Sequence, residues 1–179
     1  MVLVKDTFEL ATLKPEDASS LSKLMITNGR RFQLYLPKTL AQNISEDASK
    51  DYISQQRQAI ENQTEYTFAI KDLETSNVAG LIILKNLNWN QKEGEFAYCL
   101  GSHYTGNGWM AKALKACMEF AFDTLGLQTL NILVHNSNTP SVNVAKRCGF
   151  SWAKTLENDY ISTAKGPLDM ELYQIHNEK

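Results

Sequence analysis

Apolar and polar positions recur along this chain at two periods, two and 3.6 residues, and the switches between them predict its elements. Residues 8–13 (Phe-Glu-Leu-Ala-Thr-Leu) alternate as a short strand does. Pro15 stands where the first turn of a helix tolerates proline. Ala18, Leu21, Leu24 and Met25 follow at helical spacing, and Asn28-Gly29 supplies a stop. A second helix is predicted over 46–62, with Tyr52, Ile53, Gln56, Ala59 and Ile60 on one side. Residues 30–44, with Tyr35 and Pro37, read as a connection between the two.

Three strand-like runs come next. Residues 67–71 lead to a polar turn at 74–77, residues 78–86 are rich in Ile and Leu, and residues 95–100 alternate again after a loop at 88–94. Met110, Ala113, Leu114, Cys117, Phe120 and Ala121 then mark a helix over 109–125, closed by Gly126. Residues 129–135 form a strand run. Thr139 is the predicted cap and Pro140 the first residue of a short helix that Gly149 stops. Runs at 150–156 and 168–175 close the chain as strands. Helices interleave with both meander-like and crossover-connected strands, so the fold expected is α/β (α+β) with a mixed sheet. No repeat or composition break divides the chain, and residues 1–179 read as one domain.

Composition narrows the function. The 179 residues are 43% hydrophobic and 21% charged, with a net charge of -2 and no run of like charge. Arg30-Arg31 is the only adjacent arginine pair, too little for a nucleic-acid footprint. No apolar stretch approaches a membrane span. Lys5, Asp6 and Glu9 interrupt what would be the apolar core of a signal peptide, so a cytoplasmic location is expected. Cys99, Cys117 and Cys148 lie apart in apolar contexts, which suits reduced buried thiols. His103, His135 and His176 form no ligand-spaced set with them, and no metal is expected.

The chemistry gathers after the strand at 95–100. There Thr105-Gly106-Asn107-Gly108-Trp109-Met110 runs straight into a helix. A helix start leaves backbone N–H groups unpaired and carries partial positive charge. Glycines let phosphate oxygens approach that backbone, so the loop suits a pyrophosphate. Gly-x-Gly also occurs in ordinary turns. Gly106-Asn107-Gly108-Trp109-Met110-Ala111 formally fits the dinucleotide fingerprint too, but that reading needs a ribose-binding carboxylate ending the next strand. Val134-His135 stand there instead, and the loop is not at the start of a domain.

Two runs together resemble the GNAT superfamily of N-acetyltransferases. The first is Phe96 to Gly101 with Tyr104 to Ala111. The second is His135-Asn136-Ser137-Asn138-Thr139-Pro140-Ser141 through Lys146-Arg147-Cys148-Gly149-Phe150. Within the superfamily the likeness is greatest to the Rim-type enzymes that acetylate ribosomal-protein N-termini. The resemblance implies a single GNAT-like domain, with a mixed, mostly antiparallel sheet splayed at its centre and helices on both faces. It implies acetyl-CoA as co-substrate and an amine acceptor, with a homodimer common among similar proteins. The pantetheine arm would pair with the strand edge at Tyr98, Cys99 and Leu100. Backbone groups of Thr105, Gly106, Asn107, Gly108, Trp109 and Met110 would hold the pyrophosphate, Asn138 the pantetheine. Ser141 would lie close to the sulfur. The family usually has Gln or Arg where Thr105 stands and often Glu where Lys112 stands. Many members also carry a thiolate-protonating tyrosine where Ala145 stands, which moves that role toward Ser141.

Transfer to an amine needs a neutral nitrogen, a polarised thioester carbonyl and a proton for the leaving thiolate. An α-amino group titrates near 8, so a carboxylate acting through water could suffice as base, and Glu95 is the candidate. A backbone N–H near Cys99 or Leu100 would polarise the carbonyl. Glu95 could equally be a solvated strand-end carboxylate, and Ser141 could serve its helix start. His135 is a further candidate relay, and Cys99 has no basic neighbour to make it a nucleophile. Three functions stay open: acetylation of a protein or peptide N-terminus, acetylation of a small amine such as a polyamine, amino acid or aminoglycoside, and non-catalytic acetyl-CoA binding. Residues 30–44 and the loop at 157–166 are expected to choose the acceptor.

Overall fold

The computed structural model describes residues 2–4, 7–162 and 165–178. They gather into two compact units: Met1–Ile83 with Tyr98–Trp109, and Leu84–Ala97 with Met110–Lys179.

The first unit begins with β1 (Val2–Val4) and β2 (Phe8–Thr12). A 3-10 turn at Pro15–Asp17 leads into α1 (Ala18–Thr27). Next come α2 (Gly29–Tyr35), α3 (Pro37–Ala41), α4 (Glu46–Glu61) and β3 (Tyr66–Asp72). The strands β4 (Val78–Asn88) and β5 (Glu93–Leu100) each run through both units. Strand order here is β1-β2-β3-β4-β5, with β2 antiparallel to both β1 and β3 and Leu10 opposite Ile70. Six successive residues of β3 are buried, so this strand shows no alternation. Leu21, Met25, Tyr52, Ile53, Leu81 and Cys99 share one core. Ser45 caps α4 by accepting the Ala48 N–H at 3.1 Å, where Glu46 and Asp47 also favour the positive helix end.

In the second unit β5 pairs in parallel with β6 (Thr129–Val134). Next to β6 lies β8 (Gly166–His176), and β7 (Ser151–Ser162) forms the edge, both pairings antiparallel. The sheet is therefore mixed. The parallel register runs from Glu93–Thr129 to Phe96–Ile132, and β5 continues to Leu100 beyond it. That end of the register is where the sequence reading places the splay. The helices of this part are α5 (Trp109–Glu119) and α6 (Thr139–Arg147). Among the described residues no helix is long and apolar enough to cross a membrane.

Several boundaries differ from the sequence reading, each for a local reason. Residues 30–44 are two helices and not a connection. Phe32, Leu36 and Leu40 recur every four residues toward the core, and Pro37 opens α3 at a position where proline is tolerated. Asn28 does end α1, but Gly29 starts α2. The loop at 88–94 shrinks to four residues, because β4 and β5 both extend into it. Helix α5 gives way at Phe120–Thr124 to a wider turn closed by Leu125 N–H to the Phe120 carbonyl at 3.1 Å. The cap of α6 is Asn138, which displaces Pro140 to the second helical position. Residues 157–162 belong to β7, not to a loop. Its residues are almost all exposed, as on an edge strand, so burial imposes no alternation there. Val2–Val4 is a strand too short to announce itself.

One buried contact ties the first helix to the sheet of the first unit. Lys71 Nζ on β3 lies 2.7 Å from Asp17 Oδ2, with the two side chains 10% and 5% exposed. The same oxygen accepts the Lys14 N–H at 2.8 Å. Removing one partner leaves the other charge buried. We therefore predict that Lys71→Met destabilises the protein by about 3 kcal/mol in urea titration, and that adding Asp17→Asn restores part of the loss.

Candidate active site

The end of β5 is held on three sides within the first unit. Gly101 N–H donates to the Ala79 carbonyl at 2.8 Å, and Ser102 N–H donates to Asn28 Oδ1 at 3.0 Å. Arg31 donates to the Leu100 carbonyl, and the same amino group reaches Asn28 Oδ1 at 3.2 Å. Gly80 on β4 makes the close approach possible: a Cβ there would lie 2.4 Å from the Cys99 carbonyl oxygen. Leu100 and the residues just after it are thus fixed by main-chain and side-chain bonds together.

From that anchor the chain makes a 3-10 turn at Ser102–Tyr104 and enters the glycine loop. Gly106 and Gly108 have φ of 86° and 73°, and an added Cβ would meet nothing within 4 Å at either. Both glycines are therefore required by backbone conformation, and the space beside them is open. Gly106 and Asn107 are exposed, while Trp109 and Met110 are buried. The Trp109 ring stacks on Tyr104 at 5.2 Å and packs against Phe8 at 5.4 Å. Tyr104 and Trp109 flank the loop in sequence, so their stacking clamps its base. Trp109 contributes a core ring besides its backbone. Thr105 donates its hydroxyl to the Ser102 carbonyl at 2.8 Å and steadies the turn. The first amides of α5 lack intrahelical partners by construction, so open space beside two left-handed glycines fits a pyrophosphate.

The second unit holds Glu95, Asn138, Ser141 and His135. Both Glu95 oxygens have partners: Lys85 Nζ at 3.3 Å and Asn86 Nδ2 at 2.9 Å, with the side chain 14% exposed. A carboxylate has about four acceptor positions, so those contacts leave room for water. Asn138 is the N-cap of α6 by position, yet its side chain makes no cap hydrogen bond. Its amide is not committed to the helix. Ser141 stands at the third helical position and is partly buried. His135 follows β6, and its Nδ1 lies 2.6 Å from Ser137 Oγ and accepts the Ser137 N–H at 3.2 Å. The Ser137 N–H directed at Nδ1 places the ring proton of the neutral form on Nε2. At the far end of α6, Phe150 N–H reaches the Ala145 carbonyl at 3.1 Å and Gly149 N–H the Lys146 carbonyl at 3.0 Å, a Schellman closure.

The three cysteines are unpaired and buried. Burial pushes the Cys99 thiol up to about 12, against smaller opposing effects from the Leu81 backbone hydrogen bond and the Arg31 charge. Cys117 and Cys148 are raised by the same desolvation. Tyr98 and Leu100 are half-buried neighbours of Cys99 on the strand. Among the described residues no group of three His, Cys, Asp or Glu could hold a metal ion. Asn28, Arg31 and Tyr104 are the site-supporting residues that the sequence reading overlooks. Asn28 reads there only as a helix stop and Arg31 only as half of a weak basic pair.

Residues 8–151 match the family described as acetyltransferase (GNAT) domain. The chain belongs to that family. Spermidine N(1)-acetyltransferase of Escherichia coli (strain K12) is 27% identical over 101 residues, 56% of this chain and 53% of that protein. The chain thus spans about half the length of the first curated relatives it matches. In structure it is similar to the ribosomal-protein-S5-alanine acetyltransferase of Vibrio fischeri, with a TM-score of 0.92 at 17% identity over 100% of this chain and 98% of that one. It is also similar to RimL, the ribosomal L7/L12 alpha-N-protein acetyltransferase in complex with coenzyme A, with a TM-score of 0.89 at 18% identity over 98% of each chain. At such identities these likenesses establish the fold.

The buried thiols give a direct check. At pH 8 a disulfide reagent should label the folded protein slowly, and unfolding in guanidinium should expose all 3 cysteines. Rapid native labelling of Cys99 would contradict its burial.

Proposed function

We propose that this protein is an acetyl-CoA-dependent N-acetyltransferase acting on a primary amine, the N-terminal amine of a protein or peptide. The observation that carries the reading is the pair of left-handed, unobstructed glycines that opens α5. Family membership over residues 8–151 supports it, as does the uncommitted Asn138 amide. The likeness to Rim-type structures favours a protein N-terminus, possession of spermidine-acetylating relatives a polyamine. Neither likeness carries the acceptor by itself.

Acetyl-CoA would supply the acetyl group as a thioester. Backbone N–H groups from Gly106 to Met110 hold its pyrophosphate, and Asn138 holds the pantetheine. The β5 backbone at Tyr98, Cys99 and Leu100 pairs with the pantetheine arm, and an N–H at Cys99 or Leu100 polarises the carbonyl. Glu95 takes a proton from the amine through water, and Ser141 gives one to the departing sulfur. The N–C bond forms as the C–S bond breaks, and the products are an amide and a thiol. These assignments demand little of Glu95, because an α-amino group titrates near 8. Cytoplasmic residence agrees with such an acceptor, and a homodimer is part of the same reading.

The test is thiol release from acetyl-CoA in the presence of an amine panel. Peptides should be acetylated and free polyamines and aminoglycosides left. Tight acetyl-CoA binding without thiol release for any amine would point to a non-catalytic module instead. Ser141→Ala should lower kcat about a hundredfold with little change in acetyl-CoA affinity. Unchanged turnover removes Ser141 from the mechanism. Gly108→Val forces a β-branched residue into φ of 73°. It should weaken acetyl-CoA binding at least about tenfold by calorimetry while the protein stays folded.

A further inference from the structure

We propose that the amine acceptor carries a carboxylate close to its reacting nitrogen, and that Arg31 selects it. The inference rests on the transferase reading above and deepens it. Its starting point is where Arg31 lies. The guanidinium is hydrogen-bonded to the carbonyl of Leu100, the residue beside which the acetyl carbonyl is polarised in that reading. A positive charge is therefore built into the end of β5 where transfer takes place.

Only part of the guanidinium is occupied by that contact. The bonds to Leu100 and Asn28 leave from one amino group, while the side chain as a whole is exposed. Guanidinium has five donors in a planar fork, a shape that matches a carboxylate with two parallel bonds. The Phe32 ring 5.2 Å away helps hold its orientation.

The surrounding sequence has the same sign. Residues 18–45 include Lys23, Arg30, Arg31 and Lys38 and not one Asp or Glu. All four cations are exposed, and among the described residues no salt bridge neutralises any of them. This stretch covers α1, α2 and α3 and contains residues 30–44, which together with the segment at 157–166 are expected to choose the acceptor. A polyamine needs carboxylates there and would be repelled. The carboxylate assigned to the chemistry, Glu95, is already paired with Lys85. A cation such as Arg31 beside the acceptor also favours the neutral form of its amine, which is the reactive one.

The test compares peptides with one shared N-terminal residue and Asp-Glu, Ala-Ala or Lys-Lys at the next two positions, with spermidine as a fourth acceptor. The Asp-Glu peptide should exceed the Lys-Lys peptide in kcat/KM by about tenfold or more at low salt, and the ratio should shrink as salt rises. Spermidine should be the poorest acceptor. Arg31→Glu should reverse the peptide order, and Arg31→Lys, which keeps the charge, should retain it. Equal kcat/KM for the three peptides in the unmodified protein overturns the inference, as does a preference for spermidine. An unreversed order in folded Arg31→Glu removes Arg31 as the selecting residue. Transfer without charge preference leaves the transferase reading standing. Acetyl-CoA binding with no transfer to any acceptor overturns both.

Discussion

Everything proposed for this site depends on holding the end of one strand. Leu100, Gly101 and Ser102 are each bonded by a different neighbour: the Arg31 side chain, the Ala79 carbonyl and the Asn28 side chain. The next residues make the tight turn into the glycine loop, so an error at Leu100 would be carried directly into Gly106 and Gly108. Gly80 permits the close approach of β4, and the Tyr104–Trp109 stack closes the loop behind it. Main-chain groups can bind a ligand only if they are held still. Here the restraint comes from the Ala79 carbonyl and the Asn28 and Arg31 side chains, and of these only Arg31 is proposed to meet a ligand.

This arrangement divides recognition between two kinds of chemistry. The acetyl donor is proposed to be read mainly by backbone N–H groups at a helix start, which demand conformation and little side-chain identity. That explains how Thr105 and Lys112 can depart from the family habit: Thr105 serves the turn through Ser102, and Lys112 is exposed on α5. The acceptor has no such generic feature. It is proposed to be chosen by side chains, and α1 to α3 carry cations without a single carboxylate. Arg31 belongs to both halves, bracing the strand through one amino group and facing solvent with the rest.

Glu95 and His135 are each held in place by local bonds. Glu95 sits between Lys85 and Asn86, and His135 is bound to Ser137 through Nδ1. The second contact orients the imidazole that follows β6. The buried thiols are inert for a plainer reason: desolvation opposes the thiolate, most of all at Cys99 and Cys117. A nucleophilic cysteine at that strand is therefore disfavoured by its surroundings as well as by the lack of a base.

The glycine loop was legible in the sequence because its requirements are local. Two glycines before an apolar-periodic helix imply left-handed backbone and open amides whatever lies around them, and their φ values agree. The helices at 18–27 and 46–61 were legible from burial periodicity, and the central strands from apolar runs bounded by polar turns. Where burial is continuous, as in β3, or nearly absent, as in β7, periodicity carries no boundary, and the 157–162 segment passed for a loop. In residues 30–44 Pro37 interrupts the four-residue spacing of Phe32, Leu36 and Leu40, which hides two helices behind the look of a connection. Asn28 lies 74 positions from Ser102, and Arg31 lies 69 from Leu100. No spacing rule reaches that far. The sequence by itself determined the family and the loop, since both reside in contiguous residues. Only the tertiary structure decided what holds the loop in place and which cation braces the end of β5, because those bonds form between segments that the fold alone brings together.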